Sequence, residues 1–244
     1  MAETEGAFLR AVLPPWACGA DRVGDVASGE LFEAQTPGRS AGQRRRAEFA
    51  AGRRCAQRAL AALGSAPSAV PRGPRGVPVW PAGVVGAITH CAGFQAAAVC
   101  LSRDAWGLGL DAEPAEPLPE RVRARLLTAR ETALAGELRA RLPGLPADRL
   151  LFSAREAAYK AWPAHRGEPP PLRALSVDEA CGSAAGSASG DFMVRLPDGY
   201  ALPDGYAPPD GYAPPGGRCL HGRWHAAAGL LVTCVVIARR PSGR

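Results

Sequence analysis

No two cysteines in this chain are spaced as CxxC. The seven, at positions 18, 55, 91, 100, 181, 219 and 234, keep no regular metal-ligand spacing, which removes the common zinc and dithiol motifs. Their odd number, in a sequence without a recognisable signal peptide, fits a reducing cytoplasm better than a disulfide framework. Long apolar runs are missing too: the longest fall well short of the roughly 20 residues of a membrane helix, so a cytoplasmic protein with no membrane partner is expected. Aromatic residues make up only 6% of the chain. Neither basic stretch, GQRRRAEFAAGRR at 42–54 or RVRARLLTAR at 121–130, interleaves them with base-reading side chains as a single-strand platform does, and nucleic acid is not an expected partner. G-x-x-x-x-G-K-[ST] is absent, and the GxG at 107–109 lacks the remainder of a dinucleotide fingerprint.

What is present is an apolar content of 47% over 244 residues, enough for one large or two small domains with a sizeable core. A formal charge of +6 and a pI near 9.2 favour an anionic partner, such as a phosphorylated small molecule or an acidic protein.

Residues 1–40 give no long element. Gln43–Leu63 reads as a helix with Phe49, Ala56 and Leu60 on one face. Arg46 and Arg53 lie near that stripe, and Arg45 is about 80° from Arg53 around the axis. These arginines either cover a solvated edge or reach an anion. After the Pro/Gly-rich SAPSAVPRGPRGVPVWPAG, the segments VVGAITH, FQAAAVCL and WGLGLD read as three strands, with Asp111 at the exit of the third. A helix is expected over Glu120–Leu138, and another through SAREAAYKAW with Ser153 as N-cap and Glu156 at N3. ALSV, FMVRL, RCLHGRWHA and GLLVTCVVIA read as further strands. Between them, LPDGYALPDGYAPPDGYAPPGG at 196–217 is an approximate hexapeptide repeat, whose Pro and Gly density suggests a flexible surface expansion.

Asp111 and Glu113 are two apart, so both carboxylates face one side of an extended chain. Oxygen-only groups of this kind suit Mg²⁺, which binds one or two carboxylates together with substrate phosphates. Glu156 can supply a third acid, and Lys160, one turn later, can meet phosphate charge. The structural alternatives are ordinary surface acids at a strand exit, a Glu156 turned back to the Ser153 amide, and a plain i,i+4 ion pair. His90, at the end of its strand, is either a structural histidine or a directional donor to phosphate.

GAITHCAGFQAAAVC, GLGLDAEP and LFSAREAAYKAW, in that order, resemble the motifs of 4′-phosphopantetheinyl transferases, in particular the single-chain bacterial, enterobactin-transferase-like group. RRRAEFAAGRRCAQRAL and PRGPRGVPVWP resemble that group's substrate-binding region. The similarity runs from about residue 43 to 163 and returns in RWHAAAGLLVTCVVI. It implies an α+β fold made of a pseudo-twofold pair of similar α/β subdomains, here 1–110 and 111–244 with the 196–217 insertion in the second, and coenzyme A and Mg²⁺ bound between them. It carries metal binding onto Asp111, Glu113 and Glu156, pyrophosphate binding onto Lys160, and recognition of the coenzyme's phosphates onto Arg45, Arg53, Arg75 and His90. Arg75 and Arg155 stand where many relatives have lysine, which keeps the charge and changes the hydrogen-bond geometry. The implied reaction moves the 4′-phosphopantetheine arm of coenzyme A to a serine of an acyl or peptidyl carrier protein, with Glu156 or a water as base and Lys160 as the second catalytic group. A monomer is expected, and the carrier's pathway, siderophore or antibiotic synthesis among them, is left open. The rival readings are another Mg²⁺-dependent phosphotransferase or nucleotide hydrolase, and a noncatalytic carrier-binding protein.

Overall fold

The computed structural model of the chain describes residues 6–24, 42–183, 188–208 and 218–240, with the side chains of Gln43, Arg44, Arg75 and Ala164 outside that description. In chain order the elements are α1 (Ala7–Val12), β1 (Cys18–Val23), α2 (Gln43–Ala62), β2 (Val84–Cys91), β3 (Phe94–Leu101), β4 (Ala105–Pro114), α3 (Glu120–Leu126), α4 (Ala129–Arg141), α5 (Ala147–Ala161), β5 (Ser176–Ser183), β6 (Ala188–Arg195), β7 (Cys219–Ala227) and β8 (Leu230–Ala238). They form an α+β fold with two antiparallel sheets, ordered β1-β3-β2 and β4-β8-β7-β6-β5. Among the described residues, no helix is long and apolar enough to cross a membrane.

The small residues of β3 explain how the layers stack. Ala97 and Val99 pack with Ala56, Ala59 and Leu60 of α2. The alternate positions Phe94, Ala96, Ala98 and Cys100 pack against Leu108, Leu110, Val232 and Cys234 of the larger sheet, as the two-residue period of a strand requires. β3 is therefore covered on both faces, and its alanines let helix and sheet approach closely. The far face of the larger sheet carries Phe192, Val194, Leu220, Trp224 and Val235 against α5 and α4. The two sheets meet at their edges, where the Ala112 amide of β4 donates to Thr89 Oγ1 of β2 at 3.0 Å.

Three sequence expectations change. The helix expected over Glu120–Leu138 is two helices, α3 and α4, because Thr128 and Glu131 form a reciprocal capping box that starts a new helix. Ser153 is not an N-cap: α5 begins six residues earlier at Ala147, so Ser153 lies in its interior. The repeat insertion is more than surface filler over its first two copies. Tyr200 stacks edge-on to Trp162 at 5.4 Å, Tyr206 bridges to Arg239, and Leu196 is buried. The rest of the repeat, from residue 209, lies outside the described residues. Glu131 does more than cap α4. Its Oε1 accepts the Val177 amide at 3.1 Å and its Oε2 lies 3.8 Å from Arg155 Nη1, tying α4 to both β5 and α5.

Candidate active site

β4 sorts its side chains by parity. Leu108, Leu110 and Ala112 face the smaller sheet, while Gly107, Gly109 and Asp111 face α5. A β-carbon on Gly107 would lie 2.0 Å from the Ala161 carbonyl oxygen, and one on Gly109 1.9 Å from that of Ala157. Only glycine permits this approach of helix backbone to strand backbone. The consequence is chemical: with α5 laid this close, its side chains reach the acids that continue the same face of β4.

Asp111, 4% exposed, receives Lys160 Nζ on Oδ1 at 2.6 Å and Ser153 Oγ on Oδ2 at 2.7 Å. The Lys160 side chain is 29% exposed, so its ammonium reaches both the acid and solvent. Glu113 is held by Arg149, whose Nη1 donates to Oε2 at 2.9 Å. Burial, and then the neighbouring Asp111 charge, push the Glu113 carboxyl above the ordinary carboxylate range against the opposing pull of Arg149. Burial pushes Glu156 up as well; the Lys160 charge opposes this and Asp111 adds to it. Glu156 opens on a cavity of about 430 Å³ lined also by Tyr159, Glu168, Pro169, Pro171 and Leu172. The end of β2 lies beside the same acids, with Thr89 Oγ1 3.5 Å from Asp111 Oδ1, and the Cys91 thiol there is pushed up to about 12 by burial and then by Glu113 and Asp111.

Among the described residues, no group of three or more His, Cys, Asp or Glu side chains is arranged to hold a metal ion. The donor chemistry nevertheless fits a hard divalent cation: the oxygen ligands are carboxylates, and Asp111 raises the proton affinity of both Glu113 and Glu156, a repulsion that a cation relieves. Lys160 and Arg149 now take up part of that charge.

The phosphate-binding candidates are less closely gathered. His90 lies on β2 between Thr89 and Cys91, which turn toward the acids, and its own side chain is exposed on the other face. Arg45 is exposed on α2. Arg53 departs from the solvated-edge reading: it is 7% exposed, donates from Nε to the Val70 carbonyl at 3.1 Å and lies 4.0 Å from the Phe49 ring centroid. Its Nη2 is buried without a partner, and burial followed by the nearby Arg72 charge brings its pKa down to about 10. A buried, unmatched guanidinium donor is suited to an anion. The Arg75 side chain lies outside the described residues.

Sequence reasoning missed Thr89, Ser153 as a partner of Asp111, Thr233 and Arg149. Ser153 and Thr233 share a 2.8 Å hydrogen bond, which locks α5 to β8 behind Asp111. A signal existed: Arg149, Ser153, Glu156 and Lys160 follow one another at spacings of four, three and four, one polar stripe on a helix. A second signal is compositional. Lys160 is the single lysine of the chain, and every other side chain counted in its formal positive charge is an arginine.

Residues 33–100 match the 4′-phosphopantetheinyl transferase N-terminal domain, and residues 107–193 match the 4′-phosphopantetheinyl transferase superfamily. The 4′-phosphopantetheinyl transferase Svp of Streptomyces mobaraensis is 40% identical over 200 residues, covering 80% of this chain and 73% of its own length. The chain belongs to the 4′-phosphopantetheinyl transferase superfamily. The 4′-phosphopantetheinyl transferase PptT of Mycobacterium tuberculosis is 34% identical over 96% of this chain and 100% of its own length. Enterobactin synthase component D of Salmonella typhimurium is 35% identical over 51% of each chain. This phosphopantetheinyl transferase is an enzyme that moves the 4′-phosphopantetheine arm of coenzyme A to a serine of a carrier protein. The second match spans Asp111, Glu113, Glu156 and Lys160, and the first spans Arg45, Arg53, Arg75 and His90.

Proposed function

We propose that the transfer takes place at the seam between the two sheets, with Asp111, Glu113 and Glu156 as ligands of one Mg²⁺ and Lys160 on the pyrophosphate of coenzyme A. The observation that carries this reading is the grip of Lys160 on Asp111 at 2.6 Å, on the helix face that also presents Glu156 to an open cavity. When bound, Mg²⁺ would withdraw charge from the pyrophosphate oxygens. The chain's own side chains account for the other demands of the reaction.

The carrier serine Oγ attacks the β-phosphorus, the bond from that phosphorus to the bridging oxygen breaks, and adenosine 3′,5′-bisphosphate leaves. Glu156 takes the serine proton. Its carboxylate opens on the cavity lined also by Tyr159 and Leu172, where a hydroxyl can approach it; a water is the alternative base. Lys160 leaves Asp111 for the phosphate and stabilises charge on the leaving oxygen. Lysine suits that exchange because its ammonium is a compact charge on a flexible stem. Arg53 Nη2, Arg45, Arg75 and His90 join Lys160 in binding the phosphates of the coenzyme.

The chain is organised as two pseudo-twofold halves, 1–110 and 111–244, with the division falling inside β4 and the 196–217 insertion in the second half. It works as a cytoplasmic monomer on an acidic acyl or peptidyl carrier. α3 supports the carrier reading: it has no buried residue and carries Arg121, Arg123 and Arg125, a basic surface that attracts an acidic partner at long range.

Incubation with coenzyme A, Mg²⁺ and a panel of apo-carriers is the test. A gain of about 340 Da on the carrier serine is the mass of the transferred arm, as phosphoryl-transfer chemistry requires. Nucleotide turnover without a modified carrier would overturn the proposal in favour of a hydrolase.

A further inference from the structure

We infer that Arg149 is a positioning residue for the metal site, holding Glu113 in the direction from which it binds the cation. This rests on the proposal that Asp111, Glu113 and Glu156 share a divalent ion.

Arg149 stands in the first turn of α5, and all three of its guanidinium nitrogens are used. Nη1 donates to Glu113 Oε2 at 2.9 Å, Nε to the Glu116 carbonyl at 3.0 Å, and Nη2 to the Pro117 carbonyl at 3.4 Å. Beside it, Asp148 Oδ2 accepts the Leu118 amide at 3.2 Å. The chain leaving β4 is thereby fastened to α5 over residues 116–118, and the guanidinium that grips Glu113 is itself anchored by backbone. Asp111 has a short stem fixed by Ser153. Glu113 has one more rotatable bond and, in this structure, gains its direction from Arg149. Only one carboxylate oxygen is engaged in that grip. A partner that orients a metal-binding carboxylate in this way acts through the ligand, without touching the ion.

Charge and geometry make opposite predictions for Arg149. As a nearby positive charge it opposes a metal cation, so its removal would tighten metal binding. As a positioning group it supports binding, so its removal would weaken it.

The test is equilibrium binding of coenzyme A by calorimetry, with Mg²⁺ and with EDTA, for the wild type, Arg149→Met and Arg149→Lys. The expected result is that Arg149→Met loses about tenfold of the Mg²⁺-dependent gain in affinity, while affinity in EDTA is unchanged. Arg149→Lys recovers part of the gain, since an ammonium restores the ion pair without the fork to Glu116 and Pro117. An Arg149→Met protein with an equal or larger Mg²⁺ gain overturns the role. Should that variant fail to fold, Arg149→Lys decides: a reduced gain supports the inference and a wild-type gain overturns it. A wild-type protein whose coenzyme binding ignores Mg²⁺ removes the metal site itself, and Arg149 then has nothing to position.

Discussion

The two ends of α5 each deliver one cation to one acid of β4, and they do so differently. Near the N-terminal end, Arg149 is 16% exposed and is held by two carbonyls as well as Glu113. Near the C-terminal end, Lys160 grips Asp111 through one oxygen and has nearly twice the exposure. An arginine with a fixed fork stays in place; a partly exposed lysine on one oxygen can be exchanged. In the proposed mechanism the same helix thus supplies a permanent support and a mobile charge, and the residue types suit those roles.

The largest effects should come from the mobile end. Asp111→Ala and Glu156→Ala should each lower the rate of carrier modification by on the order of 10²- to 10³-fold, the size of one preorganised electrostatic group, with unchanged circular dichroism. Normal transfer by both folded variants would end their catalytic assignment. Lys160→Met should reduce kcat by about 10²-fold and affect the KM for coenzyme A less, and Lys160→Arg should not restore it; full activity in the arginine variant would erase the contrast drawn between the two ends.

In the middle of α5, Glu131→Ala strips Arg155 of its buried partner and leaves the Val177 amide unmatched. Chemical denaturation should register a loss of about 3 kcal/mol; a change too small to measure would mean that this anchor carries no weight. Against the C-terminal half of α5, Gly109→Ala must push the helix off the strand, costing about 1–3 kcal/mol and weakening the Lys160–Asp111 pair most. An unaltered melting temperature would contradict the close backbone approach. The smallest effect belongs to Tyr200→Ala, which removes the ring against Trp162: about 1 kcal/mol of stability, with turnover held within about twofold. A collapse of turnover there would show that the Lys160 end needs a rigid helix after all.

Much of the arrangement of the candidate site could be read in the sequence because its parts are periodic. GLGLDAEP alternates small or acidic with apolar residues, and the structure turns one set to α5 and the other to the smaller sheet. The spacing of Glu156 and Lys160 is legible for the same reason. Ser153 misleads because Ser-x-x-Glu is also the pattern of a capping box, while the true start of α5 at Ala147 follows Pro146, which offers no side-chain cap. The Thr128-x-x-Glu131 cap has that same pattern and is hidden inside a long basic stretch. Arg149 is invisible for a different reason: its value depends on where the chain goes after β4, and the carbonyls of Glu116 and Pro117 carry no sequence signature. The burial of Arg53 is likewise unreadable, since it is set by Val70, 17 residues away across a Pro/Gly-rich connection.

The solitary lysine has one more consequence. An amine-directed acylating reagent meets a single internal target in this protein, the ammonium resting on Asp111. Adduct formation at that position, followed by the mass of the peptide that carries it, turns the chain into its own occupancy gauge, with no surface background of competing lysines to subtract.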